Sequence, residues 1–251
     1  MIDLNKLYKN KALGDMNAAE LVMCMRHSIN ALPDTKAISD AADLSTFLHA
    51  HQTRKTRNEF ERTPYIEHPL RNTLRLLRWG VTDTDVLVAS LLHDTVEDTA
   101  PRFTKRVLNK KVSDDFAKEQ LLDYIAMAFG VNTASIVEGV TNPQLPKDPD
   151  EKAVAYRKHV TKAIHNNPGV YLVKLSDFVD NAVGLWHSPD DQFIARQAEK
   201  YQPLIAVFKE ELSNLIAQGV LEVSDEAVMD IRFKLDYANA HLCSIIKDTS
   251  K

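Results

Sequence analysis

The stretch "LLHDTVEDT", residues 91–99, places one histidine and three carboxylates directly after a nearly apolar run, "VLVASLL". Residues four apart on a helix share a face, so the spacing predicts that His93 and Glu97 lie one turn apart. The same spacing holds for Asp94 and Asp98. Like charges on one patch repel unless a cation lies among them or water screens them. Two interpretations are therefore open: a solvated acidic helix end, or a metal site at the end of a buried helix.

Composition indicates an ordinary globular protein, because 44% of the 251 residues are hydrophobic and 26% are charged. The small number of glycines, 7, argues against an all-β or glycine-loop architecture. A formal net charge of −4 argues against general nucleic-acid binding. Two cysteines, Cys24 and Cys243, give neither a disulfide framework nor a metal spacing, which is typical of a reducing cytoplasm. The first residues lack an apolar signal segment, and no run reaches membrane-spanning length. We therefore expect a soluble cytoplasmic protein without a membrane partner, and a homo-oligomer stays open.

The hydrophobic period along the chain is helical and strand signals are nearly absent, so we predict an all-α fold. One helix is expected to begin at a Ser39 cap, and another to run from a Thr82 or Asp83 cap to near Pro101. A third is expected to stop at Gly130. Two further helices are expected after the proline-rich loop "NPQLPKDPD", and the tail carries two long helical stretches.

Two further residues are candidates to join His93 and Asp94 in a metal site. His68 lies between Pro64 and Pro69 at the start of a predicted helix, and Asp177 lies on a helix with apolar residues nearly all round it. A carboxylate is costly to bury unless it is paired or binds a metal. A helix-start cap for His68 and a salt bridge for Asp177 are the structural alternatives. Two imidazoles and two carboxylates suit Mn²⁺, Fe²⁺ or Zn²⁺, so the metal stays open.

The motifs "EHPL", "LLHDTVEDT", "VEGVTN" and "VKLSDFVDN", in this order, resemble the HD-superfamily hydrolases of the RelA/SpoT type. The chain is most similar to the small stand-alone alarmone hydrolases of that family, over the range from about Phe47 to about Trp186. The resemblance implies an all-α helical bundle around a single Mn²⁺ per chain. The reaction that it implies is removal of the 3′-pyrophosphate from (p)ppGpp.

The resemblance also assigns roles to individual residues. The implied metal ligands are His68, His93, Asp94 and Asp177. Glu97 and Asp98 match the acidic pair that orients and activates the attacking water. The basic stretch "HQTRKTR" matches the region that contacts the guanine and the phosphates. Either Arg54 and Lys55 together, or Arg57, occupy the position of the contacting cations in the family. Asn181 matches an asparagine near the ribose.

The sequence departs from the family pattern at three places. Phe178 follows the metal aspartate where the family usually has Arg or Lys, and Gly184 stands where the family has a threonine near the ribose. Between Asp98 and the "FG" element the chain is longer than the stand-alone hydrolases. The added stretch carries five cations: Arg102, Lys105, Arg106, Lys110 and Lys111. It is either a solvated basic helix or a basic flap that attracts a polyphosphate substrate.

These observations predict three segments: an N-terminal helical extension at 1–45, a hydrolase core at 46–190 with an insertion near 100–120, and C-terminal helices at 191–251 packed on the core.

Two alternatives to (p)ppGpp hydrolysis stay open. The first is a phosphohydrolase for another nucleotide, such as a nucleoside mono- or triphosphate or NADPH, which Phe178 and Gly184 motivate. The second is a non-catalytic regulator, against which Glu97 and Asp98 argue, because a pure binder has no need of repelling carboxylates beside a metal.

Overall fold

The computed structural model of the chain describes residues 11–55, 62–185, 188, 190–221 and 223–249. Helices dominate these residues, and their two short strands, β1 (Thr53–Lys55) and β2 (Arg62–Pro64), form a two-stranded sheet. The predicted all-α class is therefore confirmed. The chain divides into two compact units, which consist of Met1–Thr53 with Pro64–Thr141, and of Arg54–Thr63 with Asn142–Lys251.

The first unit is built around one buried helix. Its described helices follow a short 3-10 turn at Leu13–Asp15, and they are α1 (Ala18–Ile29), α2 (Thr35–His49), α3 (Glu67–Arg78), α4 (Thr84–Leu92), α5 (Thr95–Asp98), α6 (Ala100–Arg106), α7 (Asp114–Phe129) and α8 (Val131–Val140). Helices α2, α3 and α8 pack against α4, in which every residue from Val86 to Leu92 is buried. A helix that is apolar on all sides belongs in the core. Asp83 caps α4 by accepting hydrogen bonds from the N–H groups of Asp85 and Val86, so Asp83 is the correct one of the two predicted caps.

The prediction of one continuous helix to near Pro101 is wrong, because α4 ends at Leu92 and the chain turns at His93 and Asp94. Asp94 has φ −95° and ψ −7°, and the Thr95 hydroxyl donates to the Leu92 carbonyl at 2.6 Å. Such a side-chain bond competes with the helical use of that carbonyl. Asp98 N–H still donates to the Asp94 carbonyl at 2.9 Å, but His93 lies outside the short helix that carries Glu97.

The predicted Ser39 cap is also wrong, because α2 begins before it. The Asp34 side chain accepts a hydrogen bond from Ala37 N–H at 3.0 Å and therefore caps the helix. Ser39 lies inside α2, where its hydroxyl donates to the Thr35 carbonyl at 2.8 Å. The predicted stop at Gly130 is confirmed, and this glycine has φ 103°, a conformation that other residues rarely adopt.

The second unit is centred on the predicted buried helix that carries Asp177. Its described helices are α9 (Pro149–Asn166), α10 (Pro168–Gly184), α11 (Asp191–Tyr201), α12 (Leu204–Ala217) and α13 (Asp225–Thr249). Helices α9, α12 and α13 pack against α10. The first tail stretch contains two helices rather than one, because Pro203 lies between α11 and α12 and cannot donate a helical hydrogen bond. Within the described residues, no helix has both the length and the apolar character needed to cross a membrane.

Candidate functional site

Three of the four predicted metal ligands lie together in the first unit. The Nε2 atoms of His68 and His93 are 3.2 Å apart. Asp94 Oδ2 lies 3.1 Å from His93 Nε2 and 3.5 Å from His68 Nε2. Both histidines are buried, and Asp94 is half-buried. We call these three residues the His-His-Asp cluster.

The ends of two packed helices position the cluster. His93 follows the last residue of α4, and its Nδ1–H donates to the Ser90 carbonyl at 2.8 Å. This bond fixes the tautomer, so that Nε2 presents a lone pair to the cluster. His68 is the second residue of α3, and its backbone N–H donates to the Tyr65 carbonyl at 2.9 Å. The two imidazole rings meet with their centroids 5.1 Å apart at an angle of 62°.

The chemistry of this donor set fits one divalent cation. Donor atoms about 2.1 Å from a shared ion lie about 3.0 to 3.4 Å apart. The three distances in the cluster, 3.1, 3.2 and 3.5 Å, are close to this range. Two nitrogen lone pairs and a carboxylate oxygen repel at such distances unless a positive charge lies among them. A set of two nitrogens and an oxygen does not select between Mn²⁺, Fe²⁺ and Zn²⁺.

Asn72 belongs to this environment, although the sequence did not single it out. It is fully buried on α3, and its amide nitrogen lies 3.4 Å from His68 Nε2. Its carbonyl accepts from Arg75 Nη1 at 2.8 Å, and Arg75 is itself 7% exposed. The sequence feature that could have identified Asn72 is its place one helical turn after His68, as a polar residue on a face that is otherwise apolar.

The two predicted catalytic carboxylates, Glu97 and Asp98, lie on α5 directly after the cluster, and each residue keeps part of its surface in contact with solvent. The pKa of Asp98 is raised to about 6, chiefly because its carboxylate is partly removed from water. The negative charges of Asp94 and Glu97 raise this pKa as well, whereas the Gln52 amide and the neighbouring Tyr65 hydroxyl lower it. A carboxylate that titrates near neutral pH can both accept and return a proton.

Three residues next to these carboxylates were missed by the sequence reasoning: His49, Gln52 and Tyr65. Tyr65 Oη donates to Asp94 Oδ2 at 2.6 Å. Gln52 Nε2 donates to Asp98 Oδ2 at 3.4 Å, and its Oε1 is hydrogen-bonded to His49 Nδ1. Tyr65 is three residues before His68 in "PYIEHP", and this proximity was the available signal.

The fourth predicted ligand, Asp177, lies on α10 in the second unit, together with two predicted substrate contacts. Asn181 Nδ2 donates to Asp177 Oδ1 at 2.6 Å. Arg54 Nη2 donates to Asn181 Oδ1 at 3.3 Å, and Arg54 Nη1 is 3.8 Å from Asp180 Oδ2. In the second unit, hydrogen bonds therefore connect the Arg54 guanidinium to the Asn181 amide, and that amide to the carboxylate of the predicted ligand Asp177.

The other predicted substrate contacts lie outside what the structure describes. Arg57 is among the residues that are not described, and Lys55 is described only as the last residue of β1. Both remain predictions.

The two departures from the family pattern have different surroundings. Phe178 is 4% exposed and packs within the second unit against Phe208 and Tyr201, with ring centroids 4.9 and 5.9 Å away. It therefore serves the core of this unit. Gly184 ends α10, and a Cβ atom added there would have no described neighbour within 4 Å.

The basic insertion begins as α6, has no helical structure from residue 107 to residue 113, and then enters α7. Arg102 is held against α2, because its Nη2 donates to the Phe47 carbonyl at 3.3 Å and its guanidinium lies 5.6 Å from the centre of the Phe47 ring. After α6 the chain folds back, with Lys110 N–H donating to the Thr104 carbonyl at 2.9 Å. The remaining four cations are exposed, and none has an ion-pair partner in the described part of the chain: Lys105, Arg106, Lys110 and Lys111.

Comparison with curated proteins finds relatives named as guanosine-3′,5′-bis(diphosphate) 3′-pyrophosphohydrolases, and others named as probable GTP diphosphokinases or pyrophosphokinases. Human guanosine-3′,5′-bis(diphosphate) 3′-pyrophosphohydrolase MESH1 is 33% identical over 164 residues, which cover 64% of this chain and 76% of the human protein. The mouse MESH1 protein is 36% identical over 57% of this chain and 65% of its own length. A guanosine-3′,5′-bis(diphosphate) 3′-pyrophosphohydrolase of Aquifex aeolicus is 33% identical over 74% of this chain, a match that spans only 20% of the bacterial protein. No curated family profile matches the chain.

A solved structure shares the fold. It is described as a metazoan ortholog of SpoT that hydrolyses ppGpp, and it superposes with a TM-score of 0.53 at 23% identity. The superposition covers 81% of this chain and 94% of the other.

Proposed function

This chain belongs to the RelA/SpoT family of HD hydrolases, and we propose that it removes the 3′-pyrophosphate of (p)ppGpp to give GDP or GTP and pyrophosphate. The observation that carries the proposal is the His-His-Asp cluster, with three donor atoms 3.1 to 3.5 Å apart, in a chain related to proteins named for this reaction.

The proposed cofactor is one Mn²⁺ per chain, with Fe²⁺ or Zn²⁺ as alternatives. His68, His93 and Asp94 are the ligands that the geometry supports, and Asp177 is the fourth by family resemblance. When bound, a divalent ion neutralises charge on phosphoryl oxygens and lowers the pKa of water. The Ser90 and Tyr65 hydrogen bonds fix the orientation of His93 and Asp94 for this role.

We assign the handling of water and protons to Glu97 and Asp98. In the proposed reaction a water oxygen bonds to the phosphorus attached at the 3′ position while the bond from that phosphorus to the ribose 3′-oxygen breaks. Glu97 and Asp98 orient the water by accepting its hydrogen bonds, and one of them takes its proton. The departing 3′-oxygen gains a proton and becomes the hydroxyl of GDP or GTP.

Glu97→Gln tests this assignment without removing a ligand. An amide of the same size cannot act as a base, and the loss of a positioned acid or base typically lowers the rate about 10²- to 10⁴-fold. We expect kcat to fall by that factor while the bound-metal content stays the same. Wild-type turnover by this variant would show that Glu97 has no part in the chemistry.

The nucleotide contacts that we propose are Arg54, Lys55, Arg57 and Asn181. The hydrogen bond from Arg54 to Asn181 supports this grouping, because it joins a guanidinium to the amide that donates to Asp177. A guanidinium can grip a phosphate in a fork and stack on a purine.

One observation favours the alternative of a different nucleotide substrate. Phe178 stands where the family usually places a cation, and its ring is buried against Phe208. The chain therefore lacks a positive charge at this position, and it cannot form there the ion pair with a phosphate group that an arginine or lysine would form.

Chromatography of the products from ppGpp, GTP, deoxynucleoside monophosphates and NADPH, each with purified protein and Mn²⁺, separates the two functions. We expect ppGpp to be consumed fastest. Intact ppGpp beside a consumed nucleotide of another kind would replace the proposed substrate and leave the metal and carboxylate assignments in place.

A further inference from the structure

Three residues of the first unit, none of them an assigned ligand or catalytic carboxylate, are linked to Asp94 and Asp98 by hydrogen bonds and ring stacking. We call His49, Gln52 and Tyr65 the bracket. Their backbones are tied in series: Gln52 N–H donates to the His49 carbonyl at 2.8 Å, and Tyr65 N–H donates to the Gln52 carbonyl at 3.0 Å. The Tyr65 carbonyl in turn accepts from His68 N–H at 2.9 Å. The bracket is thus anchored to one of the predicted ligands through the main chain.

The side chains of the bracket can be oriented without ambiguity. A carboxylate only accepts hydrogen bonds, so the Gln52 amide nitrogen must be the atom that faces Asp98 Oδ2, 3.4 Å away. Gln52 Oε1 then faces His49 Nδ1 and must accept from it. The proton of a neutral His49 is therefore on Nδ1. Its Nε2 is buried without a hydrogen-bond partner, which a lone pair tolerates better than an N–H donor.

Tyr65 links the same layer to Asp94. Its ring stacks on the His49 ring, with centroids 4.7 Å apart and 23° between the planes. From this position Tyr65 Oη donates to Asp94 Oδ2 at 2.6 Å. His49 is 2% exposed, so the face on which Tyr65 rests is part of the buried structure.

We propose that His49, Gln52 and Tyr65 are positioning residues: His49 orients the Gln52 amide, Gln52 holds Asp98, and Tyr65 holds Asp94. The inference rests on the proposed role of Asp98. Orientation of a catalytic carboxylate matters because small displacements from a productive geometry are costly in rate. None of the three side chains needs to touch the substrate.

The kinetic test is a double-mutant cycle of Gln52→Ala with Asp98→Asn. Loss of a supporting residue around a metal site typically costs about 10- to 100-fold in activity. We expect Gln52→Ala to lower kcat by that factor, with KM and bound metal unchanged. In the Asp98→Asn background the same change should have almost no further effect, because Gln52 acts through Asp98. Gln218→Ala, an exposed glutamine at the end of α12, is the matched control.

A matched pair at His49 tests the orienting hydrogen bond. An asparagine amide nitrogen takes the position of Nδ1, whereas a glutamine amide nitrogen takes that of Nε2. The kcat of His49→Asn should therefore be at least about 10-fold higher than that of His49→Gln, because only the glutamine variant loses the hydrogen bond that orients Gln52 and a lost supporting contact typically costs about this factor. Gln52→Glu is a third variant for the case that alanine unfolds the protein, because glutamate keeps the acceptor for His49 and loses the donor to Asp98.

A readout that needs no substrate separates this inference from the proposed function. The side-chain amide NMR signals of Gln52 should shift on Asp98→Asn and on His49→Gln, and should shift less on His49→Asn. The inference is contradicted if these signals do not move, or if Gln52→Ala costs the same factor in both backgrounds of the cycle. Absence of ppGpp turnover in the wild type would instead contradict the proposed substrate, and the cycle would then be run on the nucleotide that is consumed.

Discussion

At the residue scale, the Ser90 carbonyl fixes the tautomer of His93 and the Tyr65 hydroxyl orients Asp94, and neither partner lies within the motif "LLHDTVEDT". The motif "LLHDTVEDT" predicted His93 and Asp94, and His68 followed from the resemblance together with its place beside Pro69. The Ser90 carbonyl and the Tyr65 hydroxyl were not predicted, because a backbone acceptor leaves no mark in the sequence and Tyr65 lies 29 residues before Asp94, the residue to which it donates. Partners of this kind are known to tune metal affinity about as strongly as they tune activity.

Metal content is the first prediction at this scale. Purified protein should hold about one divalent ion per chain, because the donor set is complementary to a single cation. Elemental analysis should show that His93→Ala and Asp177→Ala each remove it. The exposed His27→Ala is the matched control and should retain the ion. Full retention by both ligand variants would refute the ligand assignment.

The second prediction concerns the pH dependence of stability. Burial lowers the pKa of His49 below its ordinary value of 6.5, and the nearby His93 and His68 lower it too, while the Gln52 hydrogen bond and Asp94 oppose this. Because the folded state resists protonation, the unfolded state binds the extra proton as the pH falls below that ordinary value. The free energy of unfolding should therefore decrease below about pH 6.5 and level off below the folded-state pKa.

Denaturant unfolding of metal-stripped protein at pH 7.5 and pH 5.5 measures this effect. His49→Asn removes the titrating ring and keeps a donor for Gln52, so it should lose less stability than the wild type on acidification. His27→Asn, at an exposed position, should behave like the wild type. Equal acid-induced losses in the wild type and in His49→Asn would mean that another group accounts for the dependence.

At the element scale, the sequence predicted which segments are helical better than it predicted where they end. Apolar periodicity identified α4 and α10, because a helix buried on all sides leaves a nearly continuous apolar run. The break after Leu92 was missed, since it depends on the Thr95 hydroxyl competing for a carbonyl. The start of α2 was misplaced because Asp34 caps the helix before Ser39 is reached.

The basic insertion carries the prediction at this scale. Four exposed cations without described partners should attract a polyphosphate, an effect that salt screens. Lys105→Gln combined with Lys110→Gln should lower kcat/KM at low salt and leave kcat unchanged. Raising the ionic strength should then reduce kcat/KM less steeply in this variant than in the wild type.

The matched control removes two exposed lysines of the second unit, Lys158→Gln with Lys162→Gln. This variant should keep the wild-type salt dependence. If the insertion variant also keeps it, the insertion is a solvated basic segment without a role in substrate capture.

At the scale of the whole molecule, low glycine content and helical periodicity sufficed for the all-α class, and the ordered motifs sufficed for the family. The division into two units was not foreseen, because it assigns residues 54–63 to the same unit as residues 142–251, and local patterns carry no information about such long-range grouping. The predicted segment boundaries at 45 and 190 stay predictions. The roles of the four predicted substrate contacts also stay predictions: Arg54, Lys55, Arg57 and Asn181.

The identity of the bond that breaks in pppGpp tests the central claim most directly. Hydrolysis at the 3′ position leaves all three 5′-phosphates in place, so purified protein with Mn²⁺ should yield GTP and pyrophosphate in equal amounts. Ion-exchange chromatography with ³¹P NMR of the mixture identifies both products. Release of inorganic phosphate from the 5′ end, or pppGpp that stays intact under conditions where the metal is bound, would contradict the account.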